Sequence, residues 1–212
     1  MMSPESDLPR DRFALLASGA NFSCEVLQAL RKKHFLPTVI LMPEYPPAKK
    51  IPNHGTEIVI ATAERRFLKL GQDIEIDYAP AARQSECADL LQQAAIDFLL
   101  VACWPYLISE ALITSPRKAA LNLHPSLLPD FRGPNPIEQQ LAQGASGFGV
   151  TLHLLNQQFD RGDIIAQAEL NEIDDNADRA YLECRSAIQG VELFIEAVKS
   201  HDRGWKPVRQ TA

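Results

Sequence analysis

The sequence has no long uninterrupted apolar run. No segment approaches the roughly 18 consecutive apolar residues that a membrane-spanning helix needs. The opening residues, MMSPESDLPRDR, are charged and contain prolines, so a secretory signal peptide is not indicated either. We therefore expect a cytoplasmic protein without a membrane anchor.

Closely spaced cysteines are also missing. The four cysteines, Cys24, Cys87, Cys103 and Cys184, lie far apart with no C-x-x-C pair. This spacing is typical of reduced, mostly buried thiols rather than of a disulfide framework or a zinc site, and the sequence predicts no metal site. An isolated cysteine behaves most often as a small apolar residue, so a catalytic thiol is not favoured.

The chain has no excess of positive charge. Its 21 Lys and Arg against 27 Asp and Glu give a formal net charge of -6. Binding to nucleic acid through a general electrostatic field is therefore not expected, although a local basic patch can occur on an acidic protein. The basic clusters are short and are interpreted as solvated helix ends or loops. They are Arg31-Lys32-Lys33, Lys49-Lys50 and Arg65-Arg66.

The chain contains enough apolar residues to build a core. The 212 residues are 46% hydrophobic, and we expect a single domain over residues 1–212, with an extended or disordered N-terminus over about residues 1–11. Short apolar runs alternate with helical patterns, as in β-α-β units. This alternation predicts an α/β fold, a Rossmann-like and mostly parallel sheet with helices on both faces.

The predicted elements follow from those alternating patterns. The predicted strands are residues 13–17, 38–42, 57–61, 74–78, 98–102, 120–123, 149–155 and 164–169. Helices are predicted around residues 22–30, at 65–70 and at 85–95. A last helix is predicted within residues 174–200, capped by Asp175 or Asn176.

The most informative polar residues follow the predicted strand at 120–123. Open parallel sheets bind ligands beyond the carboxyl ends of their strands, so Asn122 and His124 are expected at the mouth of a cleft. Side chains alternate with a period of two along a strand, so both project from one face. Asp160 comes from a separate turn with the sequence DRGD. Together the three residues could polarise a carbonyl group and move a proton.

Each of these residues also has a structural interpretation when it is considered alone. Asn122 could bond the backbone of the proline-rich loop, His124 could be a satisfied, half-buried histidine, and Asp160 could cap a turn. His153, in the alternating strand GVTLHLL, is interpreted as a packing or hydrogen-bonding residue. Residue patterns alone therefore indicate an α/β enzyme without naming its reaction.

The order and spacing of three motifs resemble those of the folate-dependent formyltransferase family. The motifs are NLHPSLLP at residues 122–129, GVT at 149–151 and DRGD at 160–163. The resemblance covers residues 13–200 approximately and is closest to the methionyl-tRNA and sugar-nucleotide N-formyltransferase branch. It implies an enzyme of one-carbon metabolism that transfers a formyl group from 10-formyltetrahydrofolate, the formyl donor, to a primary amine.

The resemblance implies a role for each of the three polar residues. Asn122 would donate an N–H group to the oxyanion that develops on the formyl oxygen. His124 would donate to the same oxygen or relay the proton, since imidazole titrates near neutrality. Asp160 would orient His124, raise its pKa and hold a water. The reaction needs no acyl-enzyme.

The same resemblance implies two binding regions. The folate pocket would contain Trp104, Tyr106, Leu107 and Ile108, with Asn156 and Phe159 closing its other side. Trp104 and Leu107 could instead belong to the core. The acceptor side would contain Ser18, Gly19, Asn21 and Arg132.

The acceptor is expected to be a small-molecule amine, such as an amino sugar attached to a nucleotide. Arg132-Gly133 and Asp163 are similar to the residues at these positions in the methionyl-tRNA and sugar-nucleotide branches. The low pI of about 5.4 gives the phosphates of tRNA little positive charge to bind. A tRNA acceptor is therefore disfavoured but is kept as a candidate. The resemblance implies that a methionyl-tRNA enzyme would continue into a C-terminal β-barrel that helps to hold tRNA, a domain that we do not expect here. The alternatives are a glycinamide ribonucleotide formyltransferase of purine synthesis and a non-catalytic folate-binding protein. A dinucleotide-binding oxidoreductase is not supported, since no G-x-G-x-x-G follows the first strand.

Overall fold

The computed structural model describes residues 8–43, 66–78, 83–145, 147–174 and 177–210. Its centre is a sheet with the strand order β3-β2-β1-β4-β5-β6-β7. The strands are β1 (Phe13–Ala17), β2 (Val39–Met42), β3 (Glu75–Tyr78), β4 (Phe98–Ala102), β5 (Ala119–His124), β6 (Gly149–Leu154) and β7 (Ile164–Glu169). Strands β1 to β5 are parallel, and β6 and β7 are antiparallel to their neighbours. This confirms the predicted Rossmann-like, mostly parallel sheet.

Helices connect the strands and cover the sheet. They are α1 (Asn21–Lys32), α2 (Gln84–Gln93), α3 (Glu110–Ile113), α4 (Pro136–Ala142) and α5 (Arg179–Ser200), followed by a 3₁₀ turn (His201–Arg203). Residues 66–70 are also helical. Within the described ranges, none of the helices combines the length and the apolar character that crossing a bilayer requires.

The burial of alternate residues shows why the sheet is covered on both faces. In β1, Phe13 and Leu15 belong to the larger apolar cluster, which includes residues of α1 and α5. Ala14 and Leu16 belong to a second cluster, which includes residues of α2 and α3. Side chains that alternate across a strand thus fill two separate cores, and all five residues of β1 are buried.

The predicted strands agree with the observed ones to within two residues at each end. The strand predicted at 57–61 lies outside the described residues, as do residues 1–7 of the predicted N-terminal segment. In the remainder of that segment, Leu8 packs against the larger core cluster, and the Asp11 carboxylate lies 2.7 Å from the Lys118 Nζ.

The predicted cap of the last helix is wrong. Asp178 caps α5 by accepting a hydrogen bond of 2.8 Å from the Tyr181 N–H. The Asp178 backbone is still extended, with φ of -87° and ψ of 174°, so the first helical residue is Arg179. The two residues proposed as caps, Asp175 and Asn176, lie outside the described part of the chain.

Strands β1 and β4 are neighbours at the centre of the sheet, and the chain leaves them in opposite directions along it. Such a reversal leaves a crevice outside the carboxyl ends of the two strands. The segments after the strands are joined there by a hydrogen bond of 3.0 Å from the Ser18 N–H to the Cys103 carbonyl. A cavity opens beside this point.

Candidate active site

The cavity has a volume of about 460 Å³, a size typical of small-molecule sites. One wall is the segment after β4, residues 103–108, and another is the loop of residues 155–160. The floor includes Asn122 and His124 at the end of β5. Residues at the starts of α4 and α5 also line the cavity, as does Phe22 of α1.

The three polar residues singled out in the sequence meet at this floor. The Asp160 Oδ1 atom lies 3.3 Å from the Asn122 Nδ2 atom and 3.5 Å from the His124 Nδ1 atom. Its other carboxylate oxygen accepts a hydrogen bond of 2.9 Å from the Gly133 N–H. The Asp160 side chain is 13% exposed, so its carboxylate acts on its neighbours with little screening by water.

The turn that presents Asp160 is tight. Asp160 adopts a left-handed backbone conformation with φ of 53°, which costs a non-glycine residue about 1 kcal/mol or more. Two residues later, a Cβ atom at Gly162 would lie 1.6 Å from the Leu154 carbonyl oxygen. The backbone approaches so closely that only glycine fits there, which explains the glycine of the DRGD motif.

His124 is held in one orientation by a backbone carbonyl. Its Nε2 atom lies 2.8 Å from the Phe131 carbonyl oxygen, and since a carbonyl only accepts, Nε2 carries the proton of the neutral ring. The Nδ1 atom then faces Asp160 with a free lone pair. A neutral imidazole in this orientation can take up a proton at Nδ1.

The expected direction of the His124 pKa is wrong. Burial lowers the pKa of His124 below its ordinary value, and the attraction of Asp160 only partly opposes this effect. The sequence shows the carboxylate but not the burial, and His124 is only 4% exposed. Burial would raise the pKa of Asp160, yet this pKa is lowered, because His153 and His124 in their protonated forms, together with the Gly133 N–H, stabilise the carboxylate.

His153 has a larger part in the site than its strand position suggested. Its Nδ1 atom donates to the Leu154 carbonyl at 2.8 Å, so its Nε2 atom is free to accept from Asn122 Nδ2 at 3.0 Å. Asn122 and His153 are direct partners in the antiparallel pair of β5 and β6. The signal for this contact was the alternation of GVTLHLL, but the register of the two strands could not be read from the sequence.

The contacts of Asn122 bear on its expected role. Its amide donates one N–H to His153 and the other to Asp160, at 3.0 Å and 3.3 Å. An N–H that bonds a formyl oxygen must therefore be shared with one of them. The longer bond, to Asp160, is the weaker of the two and the one more easily shared.

All six residues predicted for the folate pocket line the cavity. They are Trp104, Tyr106, Leu107, Ile108, Asn156 and Phe159. Leu107 and Phe159 are 49% and 58% exposed, so Leu107 is not a core residue. The rings of Trp104 and Tyr106 pack edge to face with centroids 6.2 Å apart, and Trp104 also packs against the second core cluster. Apolar and aromatic walls of this kind suit a flat heterocycle.

The residues predicted for the acceptor side do not line the cavity. These predicted residues are Ser18, Gly19, Asn21 and Arg132, and none of them belongs to the lining. The Ser18 hydroxyl accepts from the Ala20 N–H at 3.3 Å, and Asn21 donates to the Glu183 carboxylate. Arg132 donates to the Gln210 side chain. Their polar groups are thus engaged with protein partners, most of them distant in sequence.

The cavity is lined instead by charged residues of α4 and α5, namely Glu138, Arg179 and Glu183. Arg179 donates from Nε to the Glu183 Oε1 atom at 2.8 Å and also contacts the Glu138 carboxylate. Glu183 is only 5% exposed. The spacing of Arg179 and Glu183, four residues apart on one helix, was a visible signal for their ion pair but not for their place in the cavity. In the described ranges, no group of His, Cys, Asp and Glu side chains is arranged to hold a metal ion.

Comparison with known proteins places the chain in a family. Residues 11–198 match the family model described as formyl transferase, and the chain therefore belongs to the formyl transferase family. It is 30% identical over 191 residues to the methionyl-tRNA formyltransferase of Mycoplasmopsis pulmonis, a match that covers 89% of this chain and 63% of that enzyme. The family resemblance of the sequence motifs is confirmed.

Solved structures show the same fold. The glycinamide ribonucleotide transformylase 1 of Symbiobacterium toebii superposes with a TM-score of 0.67 at 21% identity, over 95% of this chain and 94% of that one. That of Geobacillus kaustophilus superposes with a TM-score of 0.61 at 28% identity, over 89% of this chain and 96% of that one. The names of these relatives include two different acceptors, methionyl-tRNA and glycinamide ribonucleotide.

Proposed function

We propose that the chain is a catalytic domain that transfers a formyl group from 10-formyltetrahydrofolate to a primary amine. The observation that carries the proposal is the convergence of Asn122, His124 and Asp160 at the floor of a cavity with apolar and aromatic walls. Membership of the formyl transferase family supports the same chemistry. We also propose a cytoplasmic location for this domain.

The proposed reaction follows from the contacts at the floor. The acceptor amine attacks the formyl carbon, and Asn122 donates an N–H to the oxygen that gains negative charge. His124 accepts the amine proton at Nδ1, and Asp160 stabilises the resulting imidazolium. The bond from the formyl carbon to the folate nitrogen then breaks, and the proton passes to that nitrogen. His153 keeps the Asn122 amide in orientation through the bond of 3.0 Å.

The proposed donor pocket is the wall formed by residues 104–108 and the loop that contains Asn156 and Phe159. The exposed apolar side chains of Leu107 and Phe159 would be covered by the bound folate. Covering them removes apolar surface from water, which favours binding.

The proposed acceptor is a small-molecule amine. Among the described residues, the charged ones that line the cavity are Asp160, Glu138, Glu183 and Arg179, so carboxylates outnumber cations in that part of the lining. Such a lining disfavours an acceptor that places several phosphates in the cavity. Methionyl-tRNA and glycinamide ribonucleotide are the acceptors named for relatives, and each is a candidate to be tested.

The test is incubation with 10-formyltetrahydrofolate and a panel of amines, with product mass as the readout. The panel contains amino-sugar nucleotides, glycinamide ribonucleotide and methionyl-tRNA. We expect one of them to gain a formyl group, and the His124→Ala variant to form no product. A thermal shift with 5-formyltetrahydrofolate in the absence of any product would favour a non-catalytic folate-binding protein. The absence of both product and shift at millimolar folate would contradict the proposal.

A further inference from the structure

The side chain of Gln210 joins two loops of the candidate active site. Its carbonyl oxygen accepts from the Arg132 Nε and Nη2 atoms at 3.1 and 2.8 Å. Its amide nitrogen donates to the carbonyl oxygens of Asp160 and Gly162 at 3.0 and 2.7 Å. A glutamine side chain has two N–H donors and two acceptor lone pairs, so these four bonds use its full capacity.

The segment that carries Gln210 is anchored to the rest of the fold at two points. Trp205 donates from its ring nitrogen to the Ala197 carbonyl of α5 at 2.9 Å. Val208 pairs with Ile164, the first residue of β7, through two backbone hydrogen bonds of 2.8 Å each. The position of Gln210, two residues beyond this bridge, is therefore fixed by the fold.

The two carbonyl groups that Gln210 bonds belong to the turn that presents the Asp160 carboxylate. Asp160 has the left-handed φ of 53°, a conformation that persists only when surrounding contacts hold it. The two bonds from the Gln210 amide are contacts of this kind. Through Arg132, Gln210 also connects this turn to the loop whose Phe131 carbonyl orients His124.

We propose that Gln210 is a positioning residue. Its four hydrogen bonds hold the Asp160 turn and the Arg132 loop in the relative positions that place the Asp160 carboxylate beside Asn122 and His124. The inference rests on the proposed function for its kinetic consequence. Its structural part, the placement of Asp160 against His124, holds independently of the reaction.

The kinetic test compares Gln210→Ala and Gln210→Glu with the matched control Gln189→Ala, which alters a half-buried glutamine of α5 whose side chain donates to Glu192. A displacement of about 1 Å in a catalytic group can cost about 100-fold in rate, and we expect kcat to fall at least about tenfold in both Gln210 variants. The KM for the folate donor should stay within about twofold, because the hydrogen bonds of Gln210 go to Arg132, Asp160 and Gly162 and not to the six residues proposed for the donor pocket. The control should keep wild-type kinetics.

The glutamate variant separates two explanations. It keeps an acceptor for Arg132 but offers no N–H to the carbonyls of Asp160 and Gly162. If Gln210 positions Asp160, Gln210→Glu loses as much kcat as Gln210→Ala. Wild-type kcat in Gln210→Glu would show that only the Arg132 anchor matters, and it would overturn the proposal.

A second measurement does not depend on turnover. The ring of His124 is titrated by NMR in the folded protein, where it faces Asp160 on one side and His153 as the other titratable neighbour. Displacement of the Asp160 carboxylate weakens the attraction that opposes burial, so the pKa of His124 should move down in Gln210→Ala, which adds no charge, and stay unchanged in the control. An unchanged pKa in Gln210→Ala would overturn the positioning role, even if the wild-type protein transfers no formyl group.

Discussion

Replacement of Asp160 by asparagine tests the centre of the proposed reaction. The variant keeps the size of the side chain and removes its charge. The Asp160 Oδ1 atom lies 3.5 Å from the His124 Nδ1 atom, the atom proposed to take up the amine proton. In the reaction the two groups would become an ion pair, whose attraction at this distance is about 5 kcal/mol for an effective dielectric constant of about 20.

That attraction sets an upper limit for the loss. Each 1.4 kcal/mol or so corresponds to tenfold in rate, and water would replace part of the lost attraction. We therefore expect kcat of Asp160→Asn to fall about 10²- to 10³-fold. The assay is the initial rate of formyl transfer to whichever amine of the panel is formylated.

The matched control is Asp163→Asn in the same turn. The Asp163 carbonyl accepts from the Leu154 N–H at 2.9 Å, a backbone contact that the substitution leaves in place, and its side chain is not among those that line the cavity. This variant should keep wild-type kcat. A kcat of Asp160→Asn above about one third of the wild-type value, or an equal loss in both variants, would refute the proposed role of the ion pair.

Three further predictions concern stability. Thr151→Val should lower the free energy of unfolding in urea by about 1–3 kcal/mol, because the fully buried Thr151 hydroxyl accepts from the Leu128 N–H at 3.0 Å; an unchanged value would contradict this. Gly162→Ala should lower it by about 3 kcal/mol or more, since the new Cβ would lie 1.6 Å from a carbonyl oxygen, and a wild-type thermal midpoint would be inconsistent with that contact. The pKa of folded His124 lies below the ordinary 6.5, so the unfolded chain binds more protons, and stability should be constant above about pH 6.5 and fall as the pH drops from there toward the folded pKa. Urea midpoints from about pH 8 to pH 5 should show this fall, with a flatter profile in His124→Gln; equal slopes would show that His124 is not its source.

The central strands could be predicted from the sequence because they are buried on both faces. The continuous apolar runs of β1 and β4 leave little doubt about their state, and all residues of both strands are buried. Helix α4 was not predicted, because it is short and follows a proline-rich loop. Its N-cap, Asn135, has a left-handed backbone with φ of 54°, which only the surrounding fold determines.

The floor of the candidate site could be predicted in part. Asn122 and His124 are brought together by the period of one strand, which is a local property. The contacts of Arg132 and His153 depend on partners 78 and 31 residues away, and no local pattern contains them. The direction of the His124 pKa was missed for a related reason, since burial results from the whole fold.

The two sides of the cavity come from separate parts of the chain. The wall of residues 103–108 follows β4, whereas Glu138 and Arg179 belong to the first turns of α4 and α5. Substitutions at the starts of these helices can therefore alter one side while the segment after β4 and the floor between them keep their geometry. In evolutionary terms, such a division allows the wall that follows β4 to be conserved while the opposite side of the cavity changes.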